Sequence, residues 1–389
     1  MLESNNQYSK WVACWGNATS ITDQKEAMYA KNLTLRYPIR MCFSGNKLRF
    51  HFSNLTGTEP ITLSEVYVAA AASDSEIDES SQKQILFQGK QTGTIAPGQE
   101  LVSDEVAFAV QAGMTVAVSI YLEEYTQMNA GVLITGPLSK GFYTYGSYAG
   151  KGELPIDLTR NTSWFYFLNT VDILTEEKNH ALICYGDSIT AQDWPDYLSL
   201  RAWEEGFHDI SIIRRAVSGT RILRQYDCTT YAAYGLKGET RFPIEMQTAG
   251  ADRVLIQHGI NDIIHPVGSE VNVFRPMSDM PTVEELMEGV RELYVKHARE
   301  LGMKVWIGTL LPIYGWRTYA PFREEVKCRF NDWMRTSGEF DGCVDFDRAL
   351  CDPSHPERFA DGYDSGDHLH PSALAYKRMA EEIPEELLR

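Results

Sequence analysis

The sequence predicts an antiparallel β-sandwich, jelly-roll-like, over residues 1–175 and an α/β domain with a parallel sheet over residues 176–389. In the first part, short apolar runs alternate with turn-rich pieces and show no helical spacing. In the second part, apolar runs alternate with stretches of helical periodicity, as expected for a parallel sheet covered on both faces. A length of 389 residues fits two domains, since one domain usually has roughly 100–200 residues.

Two alternating runs open the first part, TLRYPIRMCF at 34–43 and KLRFHFSN at 47–54. The polar turn SGNK lies between them, and a turn of this kind between alternating runs predicts a hairpin. Further apolar runs predict additional strands, and their sequences are TLSEVYVAA, QILFQ, VAFAV and TVAVSIYL.

The second part has five apolar runs of strand length, ALICYGD, SIIRRAVSG, RVLIQHG, KVWIGTL and CVDFD. After the third run, Thr282-Val-Glu-Glu285 is a capping box and predicts the start of a long helix. The residues that recur on one face of that helix are Leu286, Val290, Leu293, His297 and Leu301. Two more helices are predicted over EEVKCRFNDWM and ALAYKRMAEEI. Ligands of such sheets bind at the carboxyl ends of the strands.

Charge and composition disfavour several classes of binding partner and several kinds of structural site. The net charge is −17, with 36 Lys and Arg against 53 Asp and Glu, so the surface repels nucleic acids and anionic lipids. The seven cysteines are odd in number and lack CxxC spacing, which disfavours a disulfide framework and a structural zinc site. No apolar run reaches the roughly 18 residues of a membrane span. The polar start lacks the pattern of a signal peptide, so a cytoplasmic protein is expected.

The first candidate site residues follow the run ALICY, in Gly186–Thr190. A serine at this turn from strand to helix, Ser188, is exposed at the edge of the sheet. The nearby backbone N–H groups can stabilise negative charge that develops on a reacting oxygen. The alternative is a plain helix N-cap, a position that serine favours.

Two further segments follow the next two runs. In Ser218–Arg221, Gly219 lets the backbone approach a ligand closely, so its N–H can serve as an oxyanion donor. In Gly259–Asp262, the side-chain amide of Asn261 can face the same oxyanion, and Asp262 can brace the loop. An ordinary turn explains either segment by itself.

The fourth segment, Asp367–Pro371, precedes the last predicted helix. A carboxylate three residues before a histidine can reach its imidazole. Asp367 would then fix the tautomer of His370 and stabilise the imidazolium that forms when His370 accepts a serine proton. A surface loop is the alternative.

In this order, the four segments resemble the signature blocks of SGNH (GDSL-type) hydrolases: Gly-Asp-Ser, Gly, Gly-x-Asn-Asp and Asp-x-x-His. The resemblance covers roughly residues 178–389. It implies a flavodoxin-like three-layer domain and a serine esterase without metal or other cofactor. It also implies that Ser188 is the nucleophile, His370 the base and Asp367 its partner. The implied oxyanion hole comprises the N–H of Ser188, the N–H of Gly219 and the amide of Asn261.

Two aspartates of these blocks, Asp187 and Asp262, are expected to support the site. The first part is similar, more loosely, to the β-rich domain that precedes the catalytic domain in some bacterial GDSL-type acylhydrolases, through the W-x-x-x-W element Trp11–Trp15. The chain departs from the family pattern at Thr220, where Asn commonly follows the glycine. It also has His368 where a glycine is usual, and this second imidazole could crowd the pocket.

The sequence also leaves open a metal site, the role of an aromatic segment, the acyl chain length of the substrate and catalytic activity itself. The histidines and aspartates His258, Asp262, His265, Asp367, His368 and His370 could suggest a metal hydrolase, although their spacing is not that of HExxH. Aromatic residues in 312–319 could stack on sugars or shape an acyl pocket. We expect a short-chain acyl ester as substrate, with acetylated carbohydrate favoured over longer acyl chains of a lysophospholipase or thioesterase. A catalytically dead carbohydrate-binding protein is the alternative to an active esterase. The sequence leaves the oligomeric state open.

Overall fold

A computed structural model describes residues 7–21 and 28–389 of the chain. The chain forms two compact units. The first comprises the described residues up to Ala181 together with His208–Ile213, and the second comprises Leu182–Phe207 and Arg214–Arg389. None of the helices in these described ranges is both long and apolar enough to cross a bilayer.

The first unit is built from antiparallel sheets. Its strands in chain order are β1 (Lys10–Gly16), β2 (Ser20–Ile21), β3 (Tyr29–Ala30), β4 (Leu33–Arg40), β5 (Gly45–Ser53), β6 (Ile61–Leu63), β7 (Glu65–Ala70), β8 (Lys83–Gln84), β9 (Gly93–Ile95), β10 (Glu100–Val102), β11 (Val106–Val110), β12 (Thr115–Leu122), β13 (Thr126–Gln127), β14 (Ala130–Leu133), β15 (Gly141–Tyr145), β16 (Arg160–Thr162), β17 (Trp164–Tyr166) and β18 (Leu168–Thr175). A short 3₁₀ helix spans Glu79–Ser81. The larger sheets have the orders β1-β18-β5-β10, with β11 also paired to β5, and β16-β15-β4-β12-β7-β8. The antiparallel, β-rich character predicted for this region is confirmed.

The hairpin predicted between 34–43 and 47–54 is wrong. Strand β4 pairs with β12 and β15, whereas β5 pairs with β18, β10 and β11, so the two strands belong to different sheets. The connection between them carries Met41 and Phe43, which are both fully buried. Burial of these side chains makes the connection part of the apolar core, whereas a hairpin turn lies in solvent.

The predicted parallel sheet follows the antiparallel strands along the chain. Its strands are β19 (His180–Gly186), β20 (Ile210–Ala216), β21 (Ala251–Gln257), β22 (Lys304–Gly308) and β23 (Gly342–Val344), in the order β20-β19-β21-β22-β23. All seven residues of β19 are buried, as expected for a strand covered on both faces. Relative to the chain, the strand order is 2-1-3-4-5, the flavodoxin-like order. Strand order therefore reverses between β19 and β21, where ligands of such sheets bind.

Helices cover this sheet. They are α1 (Ser188–Ala191), α2 (Trp194–Glu204), α3 (Gly238–Glu245), α4 (Ile260–Ile264), α5 (Val283–Gly289), α6 (Lys296–Glu300), α7 (Pro321–Thr336), α8 (Phe346–Leu350), α9 (Ala373–Glu382) and α10 (Glu385–Leu388). Short 3₁₀ helices span Thr229–Tyr234 and Met277–Asp279, and a two-stranded ribbon comprises β24 (Cys351–Asp352) and β25 (His355–Phe359).

The long helix that follows Thr282 begins as predicted but changes its buried face. Thr282 Oγ1 accepts a hydrogen bond from the backbone N–H of Glu285 at 3.2 Å, which completes the capping box. A π-helical segment then spans Val290–Val295 between α5 and α6. The buried residues of this stretch are Val283, Leu286, Gly289, Val290, Tyr294 and Ala298. A π turn holds more residues than an α turn, so the buried face moves by one position and the predicted face beyond Val290 is wrong.

Candidate active site

Ser188 is the first residue of α1, directly after the carboxyl end of β19. Asp187 caps this helix, because its Oδ1 accepts the backbone N–H of Ile189 at 3.1 Å. The preceding turn requires Gly186, since a Cβ there would lie 2.4 Å from the carbonyl oxygen of Gln257. The side chain of Ser188 is thus held by a rigid turn from strand to helix.

The structure brings three of the sequence-predicted residues into one hydrogen-bonded series. Ser188 Oγ lies 2.8 Å from Nε2 of His370, and His370 Nδ1 lies 2.6 Å from Oδ2 of Asp367. The other carboxylate oxygen of Asp367 accepts the backbone N–H groups of Leu369 and His370 at 2.9 and 2.8 Å. A hydroxyl that faces an imidazole whose other nitrogen faces a carboxylate is the geometry that acyl transfer by serine requires.

The ionisation of Asp367 suits such a partner. Partial burial raises the pKa of its carboxyl group, but hydrogen bonds from the ring and backbone N–H of His370 and from Leu369 outweigh burial. The net effect is a pKa below the ordinary value. Asp367 therefore stays ionised and faces Nδ1 of His370 as a carboxylate.

Gly219 lies in the loop after β20, and Asn261, in helix α4, contacts this loop. Gly219 has a φ of +82°, and a Cβ at this position would lie 2.2 Å from the ring of Tyr234, so only glycine fits. The side-chain Nδ2 of Asn261 donates to the carbonyl oxygen of Thr220 at 3.0 Å. One amide hydrogen of Asn261 is used in this bond, and its other hydrogen remains for a ligand.

Asp262 braces the loop after β20 through backbone contacts. Its Oδ2 accepts the N–H of Ile222 at 2.7 Å, and its Oδ1 accepts the N–H of Leu223 at 3.0 Å. Burial raises the pKa of this carboxyl group to about 6, against the hydrogen bonds from Ile222 and Leu223. Asp262 acts on the geometry of the loop that begins at Gly219.

His258 supports the same loop, and the sequence suggested it only as a metal ligand. Its Nε2 lies 3.1 Å from the carbonyl oxygen and 3.0 Å from Oγ1 of Thr220, and its Nδ1 lies 2.9 Å from the hydroxyl of Tyr294. Burial, helped by the positive charge of Arg241, lowers the pKa of His258 to about 3. The ring is therefore neutral and holds the Gly219–Thr220 turn in place.

The other histidines of the metal hypothesis have separate partners. His265 Nδ1 lies 3.1 Å from the hydroxyl of Tyr226, and His368 Nδ1 lies 2.5 Å from Oδ2 of Asp364. Across the described ranges, no three side chains among His, Cys, Asp and Glu gather as ligands of one ion.

The aromatic segment 312–319 lies against the segment that carries His370. Gly315 has a φ of +95° and packs on the ring of His368, which a Cβ would approach to 2.8 Å. The rings of Tyr314 and Tyr319 meet edge to face at 4.9 Å. The second imidazole noted in the sequence therefore rests on the backbone of this aromatic segment.

Asp187 makes stability depend on pH. Burial raises the pKa of its carboxyl group to about 7, although the hydrogen bond from Ile189 opposes the shift. From pH 4 to pH 7 the unfolded chain has lost this proton while the folded chain keeps it, so the free energy of unfolding falls as pH rises. Asp187→Asn removes this loss, and we expect the variant to gain about 2–3 kcal/mol at pH 8 relative to pH 5.

Urea unfolding of both proteins at the two pH values measures this difference. The pH 5 comparison is the internal control, because the wild-type carboxyl group is neutral there, like the amide that replaces it. A variant that differs from wild type by the same amount at both pH values contradicts the burial of a carboxyl group with a raised pKa.

Comparison with known proteins places these motifs in a family. The model of the GDSL-like lipase/acylhydrolase family matches residues 184–378. Among curated proteins, none matches the chain.

Three solved structures are similar to about half of the chain. An acetyl xylan esterase variant from Geobacillus stearothermophilus is 17% identical, covers 54% of this chain and 94% of its own, and gives a TM-score of 0.39. An α/β hydrolase enzyme from the metagenome of Lake Arreo, Spain, is 15% identical, with coverages of 54% and 94% and a TM-score of 0.40. Another acetyl xylan esterase is 15% identical, with coverages of 52% and 96% and a TM-score of 0.36.

Proposed function

Because the chain belongs to the GDSL-like lipase/acylhydrolase family, we propose that it is a serine ester hydrolase that uses Ser188, His370 and Asp367 as a triad. The observation that carries this proposal is the hydrogen-bonded series from Ser188 Oγ to His370 at 2.8 Å and from His370 to Asp367 at 2.6 Å. In acyl transfer, the serine proton passes to the imidazole, and the carboxylate stabilises the imidazolium that forms. The series has the three groups in this order.

The proposed reaction has two halves. Ser188 Oγ attacks the ester carbonyl while Nε2 of His370 accepts the hydroxyl proton, and Asp367 stabilises the imidazolium through Nδ1. The tetrahedral intermediate collapses when His370 returns the proton to the leaving alcohol, which leaves an acyl group on Ser188. Water then attacks the acyl-enzyme with the same base, and the carboxylic acid and free serine result.

Three donors are proposed for the oxyanion: the backbone N–H of Ser188, the backbone N–H of Gly219 and the side-chain amide of Asn261. The hydrogen bond from Asn261 to the carbonyl oxygen of Thr220 supports this proposal, because it fixes the amide beside the Gly219 turn. Preorganised donors act without reorganisation during the reaction, and one of them is typically worth about 10²–10³ in rate.

For the substrate, we propose a short-chain acyl ester, with acetyl on a carbohydrate favoured. Ser188 is only 9% exposed, and such restricted access suits a small acyl group. The aromatic segment beside His368 offers rings that a sugar can contact. A lysophospholipase or thioesterase for longer acyl chains is the second candidate, and membership of a lipase/acylhydrolase family favours it. The complete hydrogen-bonded series at Ser188 favours an active enzyme over a dead carbohydrate-binding protein.

Hydrolysis of p-nitrophenyl esters of increasing chain length tests the proposed substrate class. We expect kcat/KM to be highest for the acetate and to fall with each longer chain, because a mostly buried nucleophile admits little more than a small acyl group. A maximum at long acyl chains contradicts the acetylesterase proposal and supports the second candidate. A screen over acetylated sugars with the same preparation then identifies the alcohol that the enzyme prefers.

A further inference from the structure

Positive charge gathers beside the Gly219 turn, in a chain whose net charge is −17. Burial, followed by the charges of Arg275, Arg221 and Arg317, lowers the pKa of His265 well below its ordinary value. These arginines come from the loop after β20, the segment before Met277 and the aromatic segment after β22. A local excess of positive charge against the overall charge of the chain indicates attraction of an anionic group.

Arg275 is the buried member of this group whose charge lacks a carboxylate partner in the described parts of the chain. Its side chain is only 8% exposed, and its buried Nε donates to no described group. The guanidinium lies 4.4 Å from the centre of the Tyr231 ring, and its Nη2 lies 3.4 Å from the hydroxyl of Tyr234. Arg221, by contrast, pairs with Asp279 at 3.2 Å. A desolvated cation without a counter-ion is costly, so an anion bound there would stabilise it.

Tyr234 connects this arginine to the proposed site. The ring of Tyr234 packs on Gly219, which a Cβ would bring to 2.2 Å from the ring. The hydroxyl at the far end of the same ring accepts the hydrogen bond from Arg275. A substrate whose carbonyl oxygen faces the N–H of Gly219 could thus place a second group about one tyrosine ring away, near the guanidinium.

We propose that Arg221, Tyr226, Tyr231, Tyr234, His265 and Arg275 form an arginine pocket that binds an anionic oxygen group, carboxylate or phosphate, carried by the ester substrate. This inference rests on the proposed esterase function. The guanidinium fork of arginine matches both groups in geometry. The tyrosine rings limit access of water to Arg275, and a charge-assisted hydrogen bond gains strength where water is excluded.

Matched pairs of esters test the proposal. In one pair, a methyl acetylglucopyranoside is compared with the corresponding acetylglucopyranosiduronate. The second sugar differs only in having a carboxylate in place of the CH₂OH group. The other pair is an acylglycerol and the corresponding acylglycerol phosphate, so the two pairs distinguish an acidic sugar from a lipid headgroup. We expect wild-type kcat/KM to favour the anionic member of one pair. We expect Arg275→Gln to lower the ratio of anionic to neutral kcat/KM by about 10- to 100-fold.

The matched control is Arg224→Gln, which removes an exposed arginine from the loop after β20 and should keep the wild-type ratio. Wild-type preference for the anionic ester should also fall as NaCl is added, and this measurement does not depend on folding of the variant. The absence of a preference in the wild type overturns the proposal. An unchanged ratio in Arg275→Gln also overturns it, because the residue then has only a structural role. If wild-type protein fails to hydrolyse p-nitrophenyl acetate, the proposed esterase function itself has failed.

Discussion

Replacement of Ser188 by alanine is expected to lower kcat for ester hydrolysis by roughly 10⁴- to 10⁶-fold while the fold is kept. The hydroxyl removed is the atom that lies 2.8 Å from Nε2 of His370, and the proposed covalent step has no other nucleophile. Ser188 lies in a helix of four buried residues, and alanine suits a helix better than serine. The variant should therefore unfold at a temperature close to that of the wild type.

The measurement is kcat for p-nitrophenyl acetate, with circular dichroism and thermal unfolding to verify the fold. Ser354→Ala, at an exposed serine outside the site, is the matched control and should retain full activity. A Ser188→Ala protein that keeps more than a few per cent of wild-type kcat would show that the ester bond is broken by another group.

Replacement of Asp367 by asparagine is expected to lower kcat by about 10³- to 10⁴-fold. The amide can occupy the space of the carboxylate, but its NH₂ group then faces Nδ1 of His370, at the position of a contact that measures 2.6 Å. That arrangement favours the wrong tautomer of the imidazole and removes the charge that stabilises the imidazolium. The effect should appear in kcat more than in KM, because Asp367 is not expected to touch the substrate.

The same segment provides a matched control for this variant. Asp364 faces His368 as Asp367 faces His370, with a contact of 2.5 Å. If the assignment of the base is correct, Asp364→Asn should cost less than about a tenth of the loss caused by Asp367→Asn. A larger loss in Asp364→Asn would make the Asp364–His368 pair the catalytic one and would contradict the proposed triad.

Local periodicity explains why most of the α/β part of the chain could be predicted from the sequence. Each of its five strands is an apolar run, and the capping box at Thr282 marks a helix start within four residues of chain. The first unit could not be predicted in the same way, since the pairing of β4 with β12 and β15 depends on distant residues. The π-helical segment Val290–Val295 left no signal either, because its apolar residues fit an α-helical face as well.

In the candidate site, too, the sequence indicated residues in local motifs but not those whose roles depend on distant contacts. Ser188, Gly219, Asn261 and His370 lie in four segments whose order resembles a family signature, so the sequence could single them out together. The supporting role of His258 could not be predicted from the sequence, because it depends on contacts with Thr220 and Tyr294, which lie 38 and 36 residues away. The arginine pocket could not be predicted either, because Tyr234 and Arg275 are 41 residues apart and come together only in the folded chain.

Covalent labelling with a phosphonofluoridate, followed by peptide mapping, tests most directly whether residue 188 is an activated nucleophile. We expect one phosphonyl adduct per chain, on the peptide that contains Ser188, and almost no adduct in a folded His370→Ala variant. An adduct on a different residue, or a folded wild-type protein that stays unlabelled while p-nitrophenyl acetate is hydrolysed, would contradict this expectation.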